Sequence, residues 1–289
     1  MKTNRNIKVL LKSFFANLFL ALIKIVSGLL GNSRSLVADG IHSFSDLSTD
    51  VLSIFAFKAS QKKPDKKHPF GHGQSEYICC IAIGVIIIGL GISIGIKAFT
   101  GEVKSPSNFI FYVTIVTMLV KYLVSGYIIK KGKEYNNSLL IASGKESRTD
   151  VYSSFIVLVS FLASKLTKYV DIFKYSDSAG CLILALVILY VGIKVLIENI
   201  IVILGENESD PVVIEKVKNI ILSFKAVKDI KKILLIKYGS YYICELILVF
   251  DKKMTIGKSN IIINKLKKKL ISKQTQIRYI NIEISSEEN

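Results

Sequence analysis

The sequence has four cysteines, Cys79, Cys80, Cys181 and Cys244, and none of them forms a CxxC pair. We therefore exclude a disulfide framework and a thiolate metal site, and we interpret all four as small apolar fillers. The chain also lacks the HExxH signature of a zinc-dependent hydrolase helix. No small-residue cleavage site follows the first apolar run, so we expect that run to be a retained membrane span rather than a signal peptide.

An aromatic-rich basic motif is also lacking, although the formal net charge is +17. Lysines concentrate between the apolar runs and in the C-terminal third of the chain. Attraction to anionic lipid headgroups explains this distribution, so we expect a lipid bilayer as a partner and no nucleic acid. A partner-recruiting role for the lysine-rich tail is the alternative interpretation.

Several long apolar runs indicate an integral membrane protein with multiple helical spans, and 51% of all residues are hydrophobic. A spanning helix needs roughly 20 mostly apolar residues. Spans two and five are unusually polar, and Lys24 and Lys121 interrupt spans one and four without being assigned to a site. The sequence predicts six helices at about residues 8–30, 35–57, 77–98, 108–130, 138–164 and 178–203.

Connections that are rich in lysine and arginine alternate along the chain with connections that are poor in them. This alternation predicts the orientation of the chain in the membrane. The rich segments are the N-terminus, the second-to-third connection and the fourth-to-fifth connection. With six spans, both termini are expected in the cytoplasm and the protein in the cell membrane.

The composition changes after Gly205, where amphipathic and alternating segments replace the apolar runs. An N-cap near Asp210 begins a helix, and two β-rich runs, a basic helix and a final strand follow. The predicted fold is a membrane all-α six-helix domain over residues 1–205, followed by a cytoplasmic α+β domain of αββαβ order, ferredoxin-like, over residues 206–289.

A polar stripe crosses span two. Asp39, His42, Asp46 and Asp50 recur at spacings that share one helical face. Ionisable groups in a membrane are costly and commonly line a functional pathway. We expect His42 and Asp46 to bind a metal, whereas Asp39 and Asp50 are either further ligands or groups at a helix end or facing water.

A second stripe lies in span five, where Glu146 and Asp150 are four residues apart. Together with His42 and Asp46 they predict a four-ligand site with one nitrogen and several carboxylate oxygens. A proton, Lys145 or Arg148 would balance the excess negative charge. The alternative is that these groups only pack the helices together.

The loop at residues 61–77 contains the other two histidines of the chain. Asp65, His68 and His72 fall within eight residues, with Pro69 and Gly71 bending the chain between them. They predict a second metal site, and a solvated turn without a ligand is the alternative.

These motifs resemble those of the cation diffusion facilitator family of divalent-metal/proton antiporters. SLVADGIHSFSDL resembles its second-span motif, in which His42 and Asp46 match the ligand positions. SGKESRTDVYSS resembles its fifth-span motif, with Asp150 matched and Glu146 in place of the usual histidine.

The loop HPFGHGQSEYI resembles the family's second metal motif, to which Asp65, His68 and His72 correspond. The αββαβ tail resembles the family's cytoplasmic dimerising domain. The sequence also departs from the family pattern at two places outside the membrane site. Gln74 replaces a lysine common near the third span, and the tail has no histidine, with Ile247 and Asn260 at positions where two would be expected.

The resemblance implies a homodimer that exports a divalent cation from the cytoplasm in exchange for protons and needs no cofactor besides the transported ion. Glu146 replaces a histidine nitrogen with a carboxylate oxygen, which is a harder ligand. This change favours Mn²⁺ or Fe²⁺ and leaves Zn²⁺ possible. A metal-selective passive channel without proton coupling is the alternative, and an intramembrane metalloenzyme is a further one.

Overall fold

A computed structural model describes residues 2–60, 62, 64–101, 105–134, 138–207, 210–239, 241–271 and 276–286. The side chains of residues 2–8, 10, 48–60, 138–140 and 142 lie outside this description. The chain forms two compact units, one of residues Met1–Val51 and Ile83–Lys194 and the other of residues Leu52–Ala82 and Val195–Asn289.

Six long helices dominate the N-terminal two thirds of the chain. Five stretches within them are long and apolar enough to cross a membrane, judged by length and composition over the described residues. The second helix has 27 residues, which is enough for a span, but it is not among these five stretches. The helices are α1 (Lys2–Leu30), α2 (Arg34–Ser60), α3 (Ser75–Thr100), α4 (Phe109–Glu134), α5 (Ser138–Lys165) and α6 (Ser176–Ile203).

The first unit has an apolar core between helices α2, α3, α4, α5 and α6. Leu36, Ile87, Val157 and Leu184 are buried there with other aliphatic side chains. Gly180 lets α6 approach closely, because a Cβ at this position would clash with the Oγ of Ser160. The core therefore holds α2 and α5, which carry the two polar stripes, in one packed bundle.

The start of α2 is fixed by a carboxylate from α6. Asp177 accepts hydrogen bonds from the Arg34 backbone N–H at 2.7 Å and from the hydroxyls of Ser33 and Ser35 at 2.8 and 2.6 Å. A carboxylate at this position satisfies a free N–H of the first helical turn and complements the helix dipole. This contact sets the depth at which the stripe of α2 enters the bundle.

The second unit contains a small α+β domain, and this confirms the predicted αββαβ order. Its elements are α7 (Pro211–Leu222), β1 (Asp229–Tyr238), β2 (Tyr241–Phe250), α8 (Ile256–Leu270) and β3 (Ile277–Ser286). Asp210 is the N-cap of α7, as predicted, and accepts from the Val212 N–H at 2.9 Å. In the sheet order β1-β2-β3, β1 runs antiparallel to β2 and β2 runs parallel to β3.

Alternating residues of β2 build the core of this domain. Cys244, Leu246 and Leu248 are buried against Ile221 of α7 and Leu266 of α8. The period of two places these side chains on one face of the strand, so both helices cover that face. Burial also raises the pKa of the Cys244 thiol to about 12, which fits its role as an apolar filler.

The loop before α3 packs within the same unit. Tyr241 donates its hydroxyl to the Phe70 carbonyl at 2.5 Å, and Tyr77 donates to the Gly239 carbonyl at 3.2 Å. Gly239 has a φ of +66° and lies against Gly73, so the hairpin between β1 and β2 and the loop approach at glycines. The loop therefore has fixed partners in the unit that contains the sheet.

Candidate metal centre

Helix α2 brings His42 and Asp46 to one side. The Nε2 of His42 lies 3.9 Å from the Oδ2 of Asp46, one turn along the helix. His42 is buried and Asp46 is half-buried. The i, i+4 spacing places the two side chains on adjacent turns of the same face, which is how one helix can offer two ligand atoms to one ion.

Helix α5 supplies the third group. One ligand atom from each of His42, Asp46 and Asp150 lies within 4.8 Å of the others. The three residues come from two helices that are far apart in sequence, and all are drawn from the two predicted stripes. One imidazole nitrogen and carboxylate oxygens at this separation can close around a divalent cation with small side-chain adjustments.

Glu146 stands beside this cluster rather than in it. Its side chain is exposed, and it lines a small cavity of about 40 Å³ together with Asp46 and Asp150. The structure thus brings three of the four predicted ligands within coordinating range of each other, and it places Glu146 at the wall of the same cavity.

A lysine on α4 neutralises part of this negative charge. The Nζ of Lys121 lies 2.8 Å from the Oδ2 of Asp150, and both side chains are almost fully buried. The sequence suggested a proton, Lys145 or Arg148 for charge balance. Lys145 is exposed, and the Arg148 guanidinium lies 4.6 Å from the centre of the Tyr122 ring, so the contact at the cluster belongs to Lys121.

Asp39 lies in a separate buried network. Its Oδ2 is 2.9 Å from the Nζ of Lys24, and it accepts from the hydroxyls of Ser153 and Ser154 at 2.5 and 2.8 Å. Lys24 also donates to Ser43 and Ser154, so its three N–H groups have acceptors. Asp39 is fully buried and therefore does not face water. The side chain of Asp50 lies outside the described residues.

Lys24 and Lys121 are buried cations beside the two polar stripes, and sequence reasoning left both without a role. Their signal was present, because an ionised lysine inside a membrane span requires a partner. Which residue each lysine pairs with depends on how α1 and α4 pack against α2 and α5. The spacing of residues along each helix does not predict that packing.

The loop site gathers the three residues that were predicted for it. The Oδ1 of Asp65 lies 3.1 Å from the Nδ1 of His68, and its Oδ2 lies 3.5 Å from the Nε2 of His72. The two imidazole rings stand 4.4 Å apart between centroids. One ligand atom from each residue lies within 4.8 Å of the others, and the buried Nδ1 of His72 has no hydrogen-bond partner among the described residues.

Backbone geometry fixes Asp65 at this site. Its Oδ1 accepts from the N–H groups of His68 at 2.7 Å and Lys67 at 2.9 Å. The hydrogen bond from the His68 N–H, aided by the His68 side chain and the Lys67 N–H, holds the pKa of Asp65 below its usual value. The carboxylate therefore stays ionised at neutral pH. A donor set of two imidazoles and one carboxylate suits Zn²⁺ and other first-row divalent metals.

Comparison with known protein families covers almost the whole chain. Residues 10–204 match the family of the cation efflux transmembrane domain. Residues 209–287 match the family of the cation efflux protein cytoplasmic domain. The two matches follow each other in the order of the helical region and the α+β domain.

Individual relatives agree with these matches. The manganese efflux system protein MneP of Bacillus subtilis is 28% identical over 283 residues, which cover 96% of this chain and 95% of the relative. An uncharacterised transporter of Methanocaldococcus jannaschii is 36% identical over 197 residues, 67% of this chain and 68% of the relative. The magnetosome protein MamB of Magnetospira sp. is 24% identical over 287 residues, 94% of this chain and 92% of the relative.

Proposed function

The chain belongs to the cation diffusion facilitator family of metal efflux transporters, and from this premise we propose that it exports a divalent cation from the cytoplasm in exchange for protons. The observation that carries the proposal is the convergence of His42, Asp46 and Asp150 from two helices of the membrane region. Glu146 reaches the ion from the cavity wall when the ion binds.

Mn²⁺ is the preferred cargo in this proposal, with Fe²⁺ next and Zn²⁺ possible. The ligand set holds one nitrogen and three carboxylates, and carboxylate oxygens suit Mn²⁺ better than they suit softer metals. A relative named for manganese efflux that matches over nearly its full length supports the same preference.

Charge balance supports an exchange with protons. Asp46, Glu146 and Asp150 carry three negative charges when ionised, and Lys121 returns one positive charge to Asp150. With His42 neutral, the site holds two negative charges, which equal the charge of one dication. When the ion leaves, protons on His42 and a carboxylate restore neutrality, because metal ligands must be deprotonated to bind.

Transport requires that the ion site opens to each side of the membrane in turn. Because the ligands come from α2 and α5, a relative movement of these helices separates the ligand atoms and weakens ion binding. In this proposal the site takes up the ion from the cytoplasm and releases it outside, where protons replace it. The protein acts as a homodimer in the cell membrane with both termini in the cytoplasm.

The loop residues Asp65, His68 and His72 form a second metal site in this proposal. The site lies in the compact unit that contains the α+β domain, and Tyr241 of that domain holds the neighbouring Phe70 carbonyl. A metal at the loop would therefore tie together the loop and the residues that pack on it. Its role is structural or regulatory rather than part of the ion path.

A passive metal channel remains the second candidate, and one experiment separates the two. The purified protein is reconstituted in liposomes that contain a pH dye and a metal-sensitive dye. The proposal predicts that Mn²⁺ uptake into the liposomes is accompanied by proton efflux and that an imposed proton gradient drives it. Uptake at the full rate without proton counterflow would favour the channel. Asp46→Ala serves as the control and abolishes both signals.

A further inference from the structure

Two buried oxygens beside the ligand cluster have no assigned task. The Oδ1 of Asn17 on α1 and the Oγ of Ser147 on α5 are buried, and neither has a hydrogen-bond partner among the described residues. Both residues line the same small cavity as Asp46, Glu146 and Asp150. Ser147 is only 6% exposed, and it is the neighbour of Glu146 in the chain.

An unsatisfied buried oxygen is unusual in a folded protein. Polar groups that leave water generally find a protein donor, an ordered water or a bound ligand. The amide nitrogen of Asn17 faces the Oγ of Ser13 at 3.4 Å, which directs its oxygen to the other side of the amide. Because both oxygens border a cavity that is lined with carboxylates, a cation is the partner that suits them.

The chemistry of these oxygens differs from that of the proposed ligands His42, Asp46, Glu146 and Asp150. An amide carbonyl and a hydroxyl are neutral, hard ligands, so they raise the coordination number without adding negative charge. Zn²⁺ is satisfied by four ligands in a tetrahedron, whereas Mn²⁺ accepts six oxygen-rich ligands in an octahedron. Neutral oxygens added to a four-ligand site therefore favour Mn²⁺ over Zn²⁺.

We infer that Asn17 Oδ1 and Ser147 Oγ ligate the transported ion, directly or through one water, and that they set its preference for a six-coordinate cation. The inference rests on the proposed function, since it assumes an ion between α2 and α5. It adds a third helix, α1, to the ion site. A cavity of about 40 Å³ accommodates an ion with one water besides the side chains.

The test measures the KM of Mn²⁺ and Zn²⁺ transport in liposomes for Asn17→Ala and Ser147→Ala. Each variant is expected to raise the KM for Mn²⁺ by about 10-fold, the order seen when a group that supports a metal site is lost, and to change the KM for Zn²⁺ much less. Ser147→Thr keeps the hydroxyl and is expected to restore the Mn²⁺ preference.

Two matched control variants remove a serine hydroxyl or an asparagine amide that already has a hydrogen-bond partner. Ser164 lies on the same helix, is also 6% exposed, and donates to the Phe161 carbonyl. Asn199 donates its amide to the Val195 carbonyl. Ser164→Ala and Asn199→Ala are expected to leave the Mn²⁺/Zn²⁺ ratio of KM values unchanged.

Equal losses for Mn²⁺ and Zn²⁺, or no change for either metal, would overturn the inference. Asp46→Ala is measured in the same series. If it abolishes transport while Asn17→Ala and Ser147→Ala behave as wild type, only this inference fails; if it transports normally, the proposed function itself fails. Where Asn17→Ala is not monodisperse, Asn17→Leu replaces it, because leucine has a similar volume and lacks the oxygen.

Discussion

The ammonium nitrogen of Lys121 lies 2.8 Å from the Oδ2 of Asp150, a member of the ligand cluster. A fixed positive charge on a ligand competes with the incoming cation. It also prevents three carboxylates from facing each other uncompensated when the ion is absent. We therefore expect this ion pair from α4 to tune how tightly the proposed site holds its cargo.

Lys121→Met is expected to lower the KM for Mn²⁺ by about 10-fold, or ~1.4 kcal/mol, and to lower the maximal rate because the ion leaves more slowly. Lys121→Arg keeps the charge and is expected to lie near the wild type. Initial rates of Mn²⁺ uptake into liposomes at neutral pH provide the measurement. A KM that stays constant or rises in Lys121→Met would show that Lys121 does not compete with the ion.

The buried pair of Lys24 and Asp39 is expected to serve stability rather than ion choice. Lys24→Met leaves a buried carboxylate without its cation, a change that typically costs about 3–5 kcal/mol. Thermal melting of the purified protein in detergent is expected to show a lower midpoint for Lys24→Met. The double variant Lys24→Met/Asp39→Asn, which removes both charges, is expected to recover much of the loss.

Ion selectivity provides the control for this pair. If Asp39 were a ligand of the transported ion, Asp39→Asn would change the ratio of Mn²⁺ to Zn²⁺ transport. We expect the ratio to be unchanged in the double variant, since Asp39 is engaged by Lys24, Ser153 and Ser154.

Replacing Glu146 by histidine is expected to shift transport towards Zn²⁺. A nitrogen in place of a carboxylate softens the ligand set, and the Zn²⁺/Mn²⁺ ratio of kcat/KM is expected to rise about 10-fold. Glu146→Gln removes the negative charge but keeps an oxygen ligand. This variant therefore distinguishes the effect of charge on metal choice from the effect of ligand softness. If Glu146→Gln produced the same shift as Glu146→His, charge rather than softness would determine the choice of metal.

Zn²⁺ binding at the loop is expected to use Asp65 as an ionised ligand at neutral pH. The depressed pKa of Asp65 means that this carboxylate contributes fully at neutral pH and loses its charge only when the pH falls below its ordinary range. Asp65→Asn is therefore expected to weaken Zn²⁺ binding at neutral pH, because it removes this negative charge.

Isothermal titration with Zn²⁺ at several pH values tests this expectation, in a background in which Asp46→Ala and Asp150→Ala remove binding at the membrane site. His68→Ala/His72→Ala in that background is expected to abolish the remaining heat of binding. An unchanged Zn²⁺ affinity in Asp65→Asn at neutral pH would show that Asp65 is not a ligand of the loop site.

The sequence predicted the helical membrane region and the αββαβ tail because apolar runs and alternating strands are local patterns. Each polar stripe was also readable, because helical spacing alone places His42 with Asp46 and Glu146 with Asp150. Contacts between stripes depend on helix packing. That packing brings Asp150 to the α2 pair, leaves Glu146 at the cavity wall, and gives Lys24 and Lys121 their partners.

Sequence patterns also did not predict which residues pack around the loop. Asp65, His68 and His72 stood out by residue type and spacing, and they do converge. Nothing local indicated that Tyr241, far along the chain, donates to the Phe70 carbonyl beside them. Long-range contacts of this kind arise from the tertiary fold, which fixes neighbours that the chain order does not.

The most direct test of the central claim is to detect the nitrogen of His42 on the bound ion. Pulsed electron paramagnetic resonance is recorded on Mn²⁺ bound to the protein with His68→Ala and His72→Ala, so that His42 is the only histidine left. The account predicts coupling to an imidazole nitrogen that disappears in His42→Ala and binding that is lost in Asp46→Ala/Asp150→Ala. Tightly bound Mn²⁺ without nitrogen coupling, or binding that survives the loss of both aspartates, would contradict it.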